Sequence, residues 1–143
     1  KDSLRAIRET GEFVVALVDE AHAAAMNLTA INAPAGVDEF TLAGLDAGEA
    51  RLVKAPLVAG APVNFECRVW QVLDTAPHAA IVLGEVVAIA IDDRFVARED
   101  GKLRLDSPAM QLIGRAHGAG WYWRGGDTMQ IDRLSWPLET KED

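Results

Sequence analysis

Apolar and polar residues change their spacing several times along this chain, and each change marks an element. In residues 2–10, Leu4 and Ile7 fall on one helical face while Arg5 and Arg8 lie off it. Asp2 or Ser3 supplies the cap and Gly11 the stop. Residues 12–18 (EFVVALV) are short, β-branched and aromatic, the pattern of a buried strand. Asp19 is placed to cap a second helix through residues 22–28 (HAAAMNL), whose apolar side chains are too small and scattered for a broad core face, so it should pack closely on a sheet. A turn-rich loop (NAPAG, residues 32–36) leads to Asp38, Glu39 and Phe40, where a single helical turn can begin with carboxylates at its positive end.

Beyond Gly44 the spacing becomes that of strands. Val63, Phe65, Cys67 and Val69 alternate with Asn64, Glu66, Arg68 and Trp70, which predicts a strand with one wet face. In residues 79–91, Ile81, Leu83, Val87, Ile89 and Ile91 share one face, and Val82, Val86, Ala88 and Ala90 make the other almost as apolar. Such a strand is central in its sheet, or its second face meets another subunit. Glu85 interrupts it, and a buried carboxylate there needs a partner, for which Arg68 on the neighbouring strand is the candidate. Residues 92–106 read as a hairpin turning at Glu99, Asp100 and Gly101, and residues 108–113 as one helical turn. A glycine-rich stretch (Gly114, Gly118, Gly120, Gly125, Gly126) then surrounds Trp121, Tyr122 and Trp123, before a final strand near residues 129–131. The pattern predicts a single domain, residues 1–143, mainly β with short helices (α+β), in Greek-key or β-barrel order.

Composition narrows the partners. Half the residues are hydrophobic and a quarter charged, as in a folded globular domain. The net charge of −8 argues against nucleic acid, and the longest apolar run, residues 79–91, is too short to span a bilayer. Cys67 is the lone cysteine, so no intrachain disulfide forms; with no signal-type segment visible, the expected location is cytoplasmic. His22, His78, His117 and Cys67 lack zinc-ligand spacing, so no metal is expected. Walker, dinucleotide-fingerprint and nucleophile-elbow motifs are equally missing.

Six segments carry a resemblance: residues 1–18 (KDSLRAIRETGEFVVALV), 25–29 (AMNLT), 36–45 (GVDEFTLAGL), 61–68 (APVNFECR), 84–93 (GEVVAIAIDD) and 113–123 (IGRAHGAGWYW). Together they resemble the flavin reductase-like, FMN-binding split-barrel family. The resemblance implies a split barrel, a homodimer with FMN at or beside the subunit interface, and a flavoprotein oxidoreductase moving hydride between NAD(P)H and flavin. A monooxygenase or another electron acceptor would take the product. It also implies strands ahead of the first helix, so the barrel is expected to be N-terminally incomplete in this chain. A truncated, non-catalytic dimeric split-barrel module, acting in binding or as a scaffold, is the alternative.

The resemblance singles out particular residues. Lys1, Asp2 and Ser3 stand at a helix N-terminus suited to a phosphate dianion, or form an ordinary cap. His78 matches the histidine of related reductases and would help seat the nicotinamide as the catalytic residue, or meet solvent in a loop. Arg115, His117 and Tyr122 lie where glycines let backbone approach a planar ligand, near the flavin or a dimer contact. Asn27 and Thr29 are expected to line the same cleft.

Overall fold

The computed structural model describes residues 2–34, 36–77, 79–129 and 131. Helix α1 (Asp2–Thr10) ends where the spacing predicts: Gly11 takes φ +69° and its N–H donates to the Ile7 carbonyl at 2.9 Å. Strand β1 (Glu12–Ala16) stops short of the apolar run that predicts it. Helix α2 (Ala23–Thr29) is not capped by Asp19. His22 occupies the cap position without a side-chain cap bond, and Asp19 Oδ1 accepts the His22 amide at 2.9 Å instead. Helix α3 (Glu39–Ala43) is capped by Asp38, which accepts the Phe40 and Thr41 amides, and it closes on Gly44 at φ +65°.

The strands follow as β2 (Ala47–Gly48), β3 (Leu57–Val58), β4 (Val63–Ala76), β5 (Ala79–Ile91), β6 (Val96–Glu99), β7 (Lys102–Leu105), β8 (Ile113–Arg115) and β9 (Tyr122–Arg124). Three-residue 3-10 turns at Asp93–Phe95 and Pro108–Met110 punctuate them. Among the described residues, which leave out residue 130 of the strand expected at 129–131, the last strand is β9, which folds back on β8, and the Gly125 N–H donates to the Leu112 carbonyl at 2.8 Å. A Cβ on Gly125 would sit 2.9 Å from that oxygen, so this closure requires glycine. Met129 and Ile131 are exposed and outside any strand.

The main sheet has the order β1-β4-β5, all antiparallel, with β2-β3, β6-β7 and β8-β9 as separate pairs. Among the described residues no sheet closes on itself, and β4 rather than β5 is central. β1 covers β4 only from Asn64 to Arg68. Register shifts in the β4–β5 pairing leave Val87, Trp70 and Thr75 without a cross-strand partner. Each such bulge flips the alternation, so the faces counted by strict period 2 do not hold: Ile81, Leu83, Val86 and Ile89 are the exposed set. Gly84 makes room for the Phe13 ring, whose Cζ would lie 2.4 Å from a Cβ added there.

The buried centre gathers at the start of β4, where Val53, Ala61, Pro62, Val63 and Cys67 are enclosed. Glu66 is only 2 % exposed, and its carboxylate accepts the backbone N–H groups of Arg51 (3.0 Å), Leu52 (2.6 Å) and Val53 (3.2 Å). Glu12 on β1 accepts the next amide, Lys54, at 2.9 Å, and Arg68 donates to the Leu52 carbonyl at 3.1 Å. Two carboxylates and a guanidinium thus hold the loop between β2 and β3 against the sheet. They also correct the expected Arg68–Glu85 pair. The two residues are register partners, but Glu85 is exposed and the guanidinium turns to Leu52 and Glu12. Among the described residues no helix is long and apolar enough to cross a membrane.

Candidate functional site

Two hollows share a wall among residues of α1, α2, α3 and β1. The larger, about 850 Å³, is polar. The first turns of α1 contribute Ser3 and Arg5, the end of α2 contributes Thr29, and the following loop and α3 contribute Asn32, Pro34, Asp38, Glu39 and Phe40. The smaller, about 350 Å³, is mainly apolar. Val14 and Ala16 of β1, Met26 of α2, Phe40 of α3, Leu45 and Val58 line it with His22. Thr29, Glu39 and Phe40 belong to both.

The capping of α3 sets the charge of the larger hollow. The Thr41 hydroxyl, 2.6 Å from Asp38 Oδ2, and the Phe40 amide hold the Asp38 carboxyl below its ordinary range, so it is ionised and already engaged at neutral pH. Facing it, α1 presents the positive end of a nine-residue helix together with a hydroxyl and a guanidinium. One wall therefore suits an anion, and the other offers acceptors to hydroxyl groups.

The smaller hollow is organised around an imidazole. His22 Nδ1 lies 2.7 Å from Asp19 Oδ1, and Asp19 is 9 % exposed, so the ring is fixed by a buried carboxylate. Behind Met26 stands the β8–β9 hairpin. The Tyr122 hydroxyl reaches Met26 Sδ at 3.9 Å, and Arg115 donates to the Tyr122 hydroxyl and to the Gly118 carbonyl, each at 3.0 Å. Its guanidinium also lies 5.1 Å from the Tyr122 ring centroid.

The residues picked out from the sequence therefore separate. Ser3 and Thr29 meet in the polar hollow. Arg115 and Tyr122 form a support behind the apolar one, and His117 stacks on the exposed Trp121 with ring centroids 6.1 Å apart. Asn27 is exposed and lines neither of these two hollows. Asp2 begins α1; Lys1 and His78 lie outside the described residues. Arg5, Asn32 and Glu39 escaped the sequence reading, as did the Asp19–His22 pair. The spacing of that pair was a usable signal, since an aspartate three residues before a histidine at a helix start can bond both its amide and its ring.

Comparison with known proteins agrees with this architecture. The family described as "Flavin reductase like domain" matches residues 1–104. This chain belongs to that family. An uncharacterised protein of Deinococcus radiodurans is 38 % identical over 95 % of this chain, which spans 59 % of that relative. The chain therefore covers less than two thirds of the curated relatives it matches. Among solved structures, the 2-nitrobenzoate 2-nitroreductase of Pseudomonas fluorescens superposes with a TM-score of 0.82 at 27 % identity, covering 99 % of this chain and 68 % of that one. Component B of nitrilotriacetate monooxygenase from Bacillus cereus gives 0.79 at 29 % identity, covering 92 % and 65 %. A Shewanella frigidimarina structure described as a putative flavin reductase with split barrel domain gives 0.79 at 20 % identity, covering 93 % and 66 %. The fold is that of the flavin reductase split barrels, with no sheet closed among the described residues.

Proposed function

We propose that this chain is the flavin-binding body of an oxidoreductase in which FMN takes hydride from NAD(P)H and passes it to an acceptor. Membership of the flavin reductase like family supports the flavin, and the polar hollow at the start of α1 is the observation that carries its placement. The α1 N-terminus, Ser3 and Arg5 would hold the phosphate through backbone amides, a hydroxyl and a guanidinium. Asn32 and Glu39 offer hydrogen bonds to a polyol chain, and Phe40 an apolar surface towards the ring. Bound flavin supplies the hydride chemistry; the protein's own part is to position it and exclude water. His78 belongs to this proposal as the residue that seats the nicotinamide. The acceptor is proposed to be a partner oxygenase or a small oxidised compound, in keeping with the names of the monooxygenase component and the nitroreductase.

Fluorescence-quenching titration tests the phosphate placement. Arg5→Ala should weaken FMN about tenfold or more, the loss of one charge-assisted hydrogen bond, and leave riboflavin, which has no phosphate, unchanged. Equal effects on both flavins, or on neither, would remove Arg5 from the phosphate site. No flavin binding by the unsubstituted chain would instead favour a binding or scaffold module.

A further inference from the structure

Helices α2 and α3 supply the wall common to the two hollows, and they are held unequally. Asp38 caps α3, whereas α2 is seven residues long, carries no buried residue and has no side-chain cap at its start. A helix so short is marginal by itself, so the placement of α2 depends on a few particular contacts. Its Met26 lines the apolar hollow and its Thr29 lines both. The β8–β9 hairpin behind it is braced. The Ala116 N–H donates to the Trp121 carbonyl at 2.9 Å and the Gly125 N–H to the Leu112 carbonyl at 2.8 Å, while Arg124 pairs with Glu20. Arg115 ties the loop to the strand by donating to the Gly118 carbonyl and the Tyr122 hydroxyl, each at 3.0 Å.

A braced hairpin and a loosely held helix meet at a polar contact. A phenolic hydroxyl has one proton to give and lone pairs to accept with. At Tyr122 the Arg115 guanidinium occupies a lone pair, and the proton is directed at Met26 Sδ, 3.9 Å away and 96 positions earlier in the chain. Methionine is otherwise the most adaptable of apolar side chains, with three bonds free to turn. A bond to its sulfur holds the thioether, and with it the inner face of α2, against the hairpin. We infer that Tyr122 is a positioning residue for the flavin site. It lines neither of the two hollows, and through Met26 it sets where α2 places Met26 and Thr29. The inference rests on the flavin reading above and gives Tyr122 a part at second hand, without contact with the flavin.

The test is a double-substitution cycle read by fluorescence-quenching titration with FMN and with riboflavin. Tyr122→Phe keeps the ring and removes the hydroxyl. It should weaken both flavins alike, by about threefold or more, as the loss of one net hydrogen bond implies, because the phosphate end belongs to α1 and not to α2. Met26→Leu keeps an apolar wall without a sulfur acceptor, and in that background Tyr122→Phe should have no further effect. In the flavin-free chain, Tyr122→Phe should shift the Met26 methyl resonance and speed amide exchange across residues 23–29. An equal penalty in both backgrounds would put the hydroxyl at the flavin or in the general fold, and a penalty on FMN alone would put it at the phosphate. An unmoved Met26 methyl with unchanged exchange would break the link to α2. Each of these overturns the assignment. A chain that binds neither flavin would overturn the flavin reading and with it the role at that site, whereas the Met26 methyl and the α2 exchange show separately whether Tyr122 holds α2.

Discussion

At one end of the β4–β5 ladder, residues 63–68 have β1 alongside and the 51–54 loop above, with carboxylates of both strands holding the loop amides. At the other end, residues 71–76 pair with 79–83 as a two-stranded ribbon beyond the reach of β1. There Leu73 is 41 % exposed and Ile81 52 %, with Trp70 at its base 79 % exposed. β4 is thus enclosed at one end and bare at the other, while β5 keeps Val86 and Ile89 exposed even beside the enclosed end. Enclosure follows from polar anchors as much as from apolar area: Glu66 and Asn64 point at the backbone of the 45–61 segment, and Asn64 bonds both the N–H and the carbonyl of Val58. Among the described residues the ribbon shows no side chain bonded to the backbone of another segment, only the exposed Arg8–Asp74 pair, and a two-stranded ribbon is marginal in water by itself, so its stability has to come from a covering surface.

Removing the strongest anchor should collapse the contrast, and it is the largest effect expected. Glu66→Gln replaces a carboxylate that accepts three amides by a group with one acceptor and two donors, so at least one loop amide is left facing a donor. Hydrogen exchange at Arg51, Leu52 and Val53 should accelerate by about tenfold or more, with thermal stability falling. The Arg51 and Leu52 amides hold the Glu66 carboxyl below its ordinary range. Its contribution is therefore complete above the ordinary glutamate range and is lost as pH falls through the depressed value, whereas Glu66→Gln should show a flatter acid limb. Unchanged exchange at those three amides would mean that the loop is held by packing alone.

The enclosed end was only half legible in the sequence. Alternation across residues 63–70 announced the strand and placed Glu66 on a wet face, yet that face is covered by a loop far away in the chain, which no local periodicity reports. The Gly11 stop and the helical turn starting at Asp38 were readable because helix ends are decided within four residues. The faces of β5 were not, because the partner strand sets where bulges fall. At the site, the resemblance led to Ser3 and Thr29. The Asp19–His22 pair was obscured because Asp19 resembles a cap, and its true partners emerge only when the chain turns into α2.

The ribbon's missing cover is, we propose, a second copy of the chain. Ile81→Lys places an ammonium in the middle of the exposed apolar row and should weaken self-association by about thirtyfold or more, the cost of losing an interface hot spot. Sedimentation at tens of micromolar checks this: the unsubstituted chain should run as a dimer and the variant as a monomer with its helical and sheet signals intact. A monomeric unsubstituted chain would leave the ribbon to a different cover, and dimers of undiminished strength in the variant would move the interface elsewhere on the surface.

The smallest effect lies at the ribbon's one described ion pair, Arg8 of α1 with Asp74 of β4, whose side chains are 46 % and 70 % exposed. Two charges so open to water gain little from each other, because the solvent screens the attraction and both side chains lose rotamer freedom in meeting. Asp74→Asn should therefore cost less than about 0.5 kcal/mol in urea unfolding of the isolated protomer, and the difference should shrink further in high salt. The same substitution in the proposed dimer sharpens the comparison between the two ends of the ladder. If a second copy covers the ribbon near Asp74, water is excluded, the screening weakens and the pair gains strength. The penalty would then exceed about 1 kcal/mol and resist salt, as expected of a desolvated ion pair. A small, salt-sensitive penalty in dimer and monomer alike would place the dimer contact on the other side of the ribbon, with Ile81 and Leu83 inside it and Asp74 still in water.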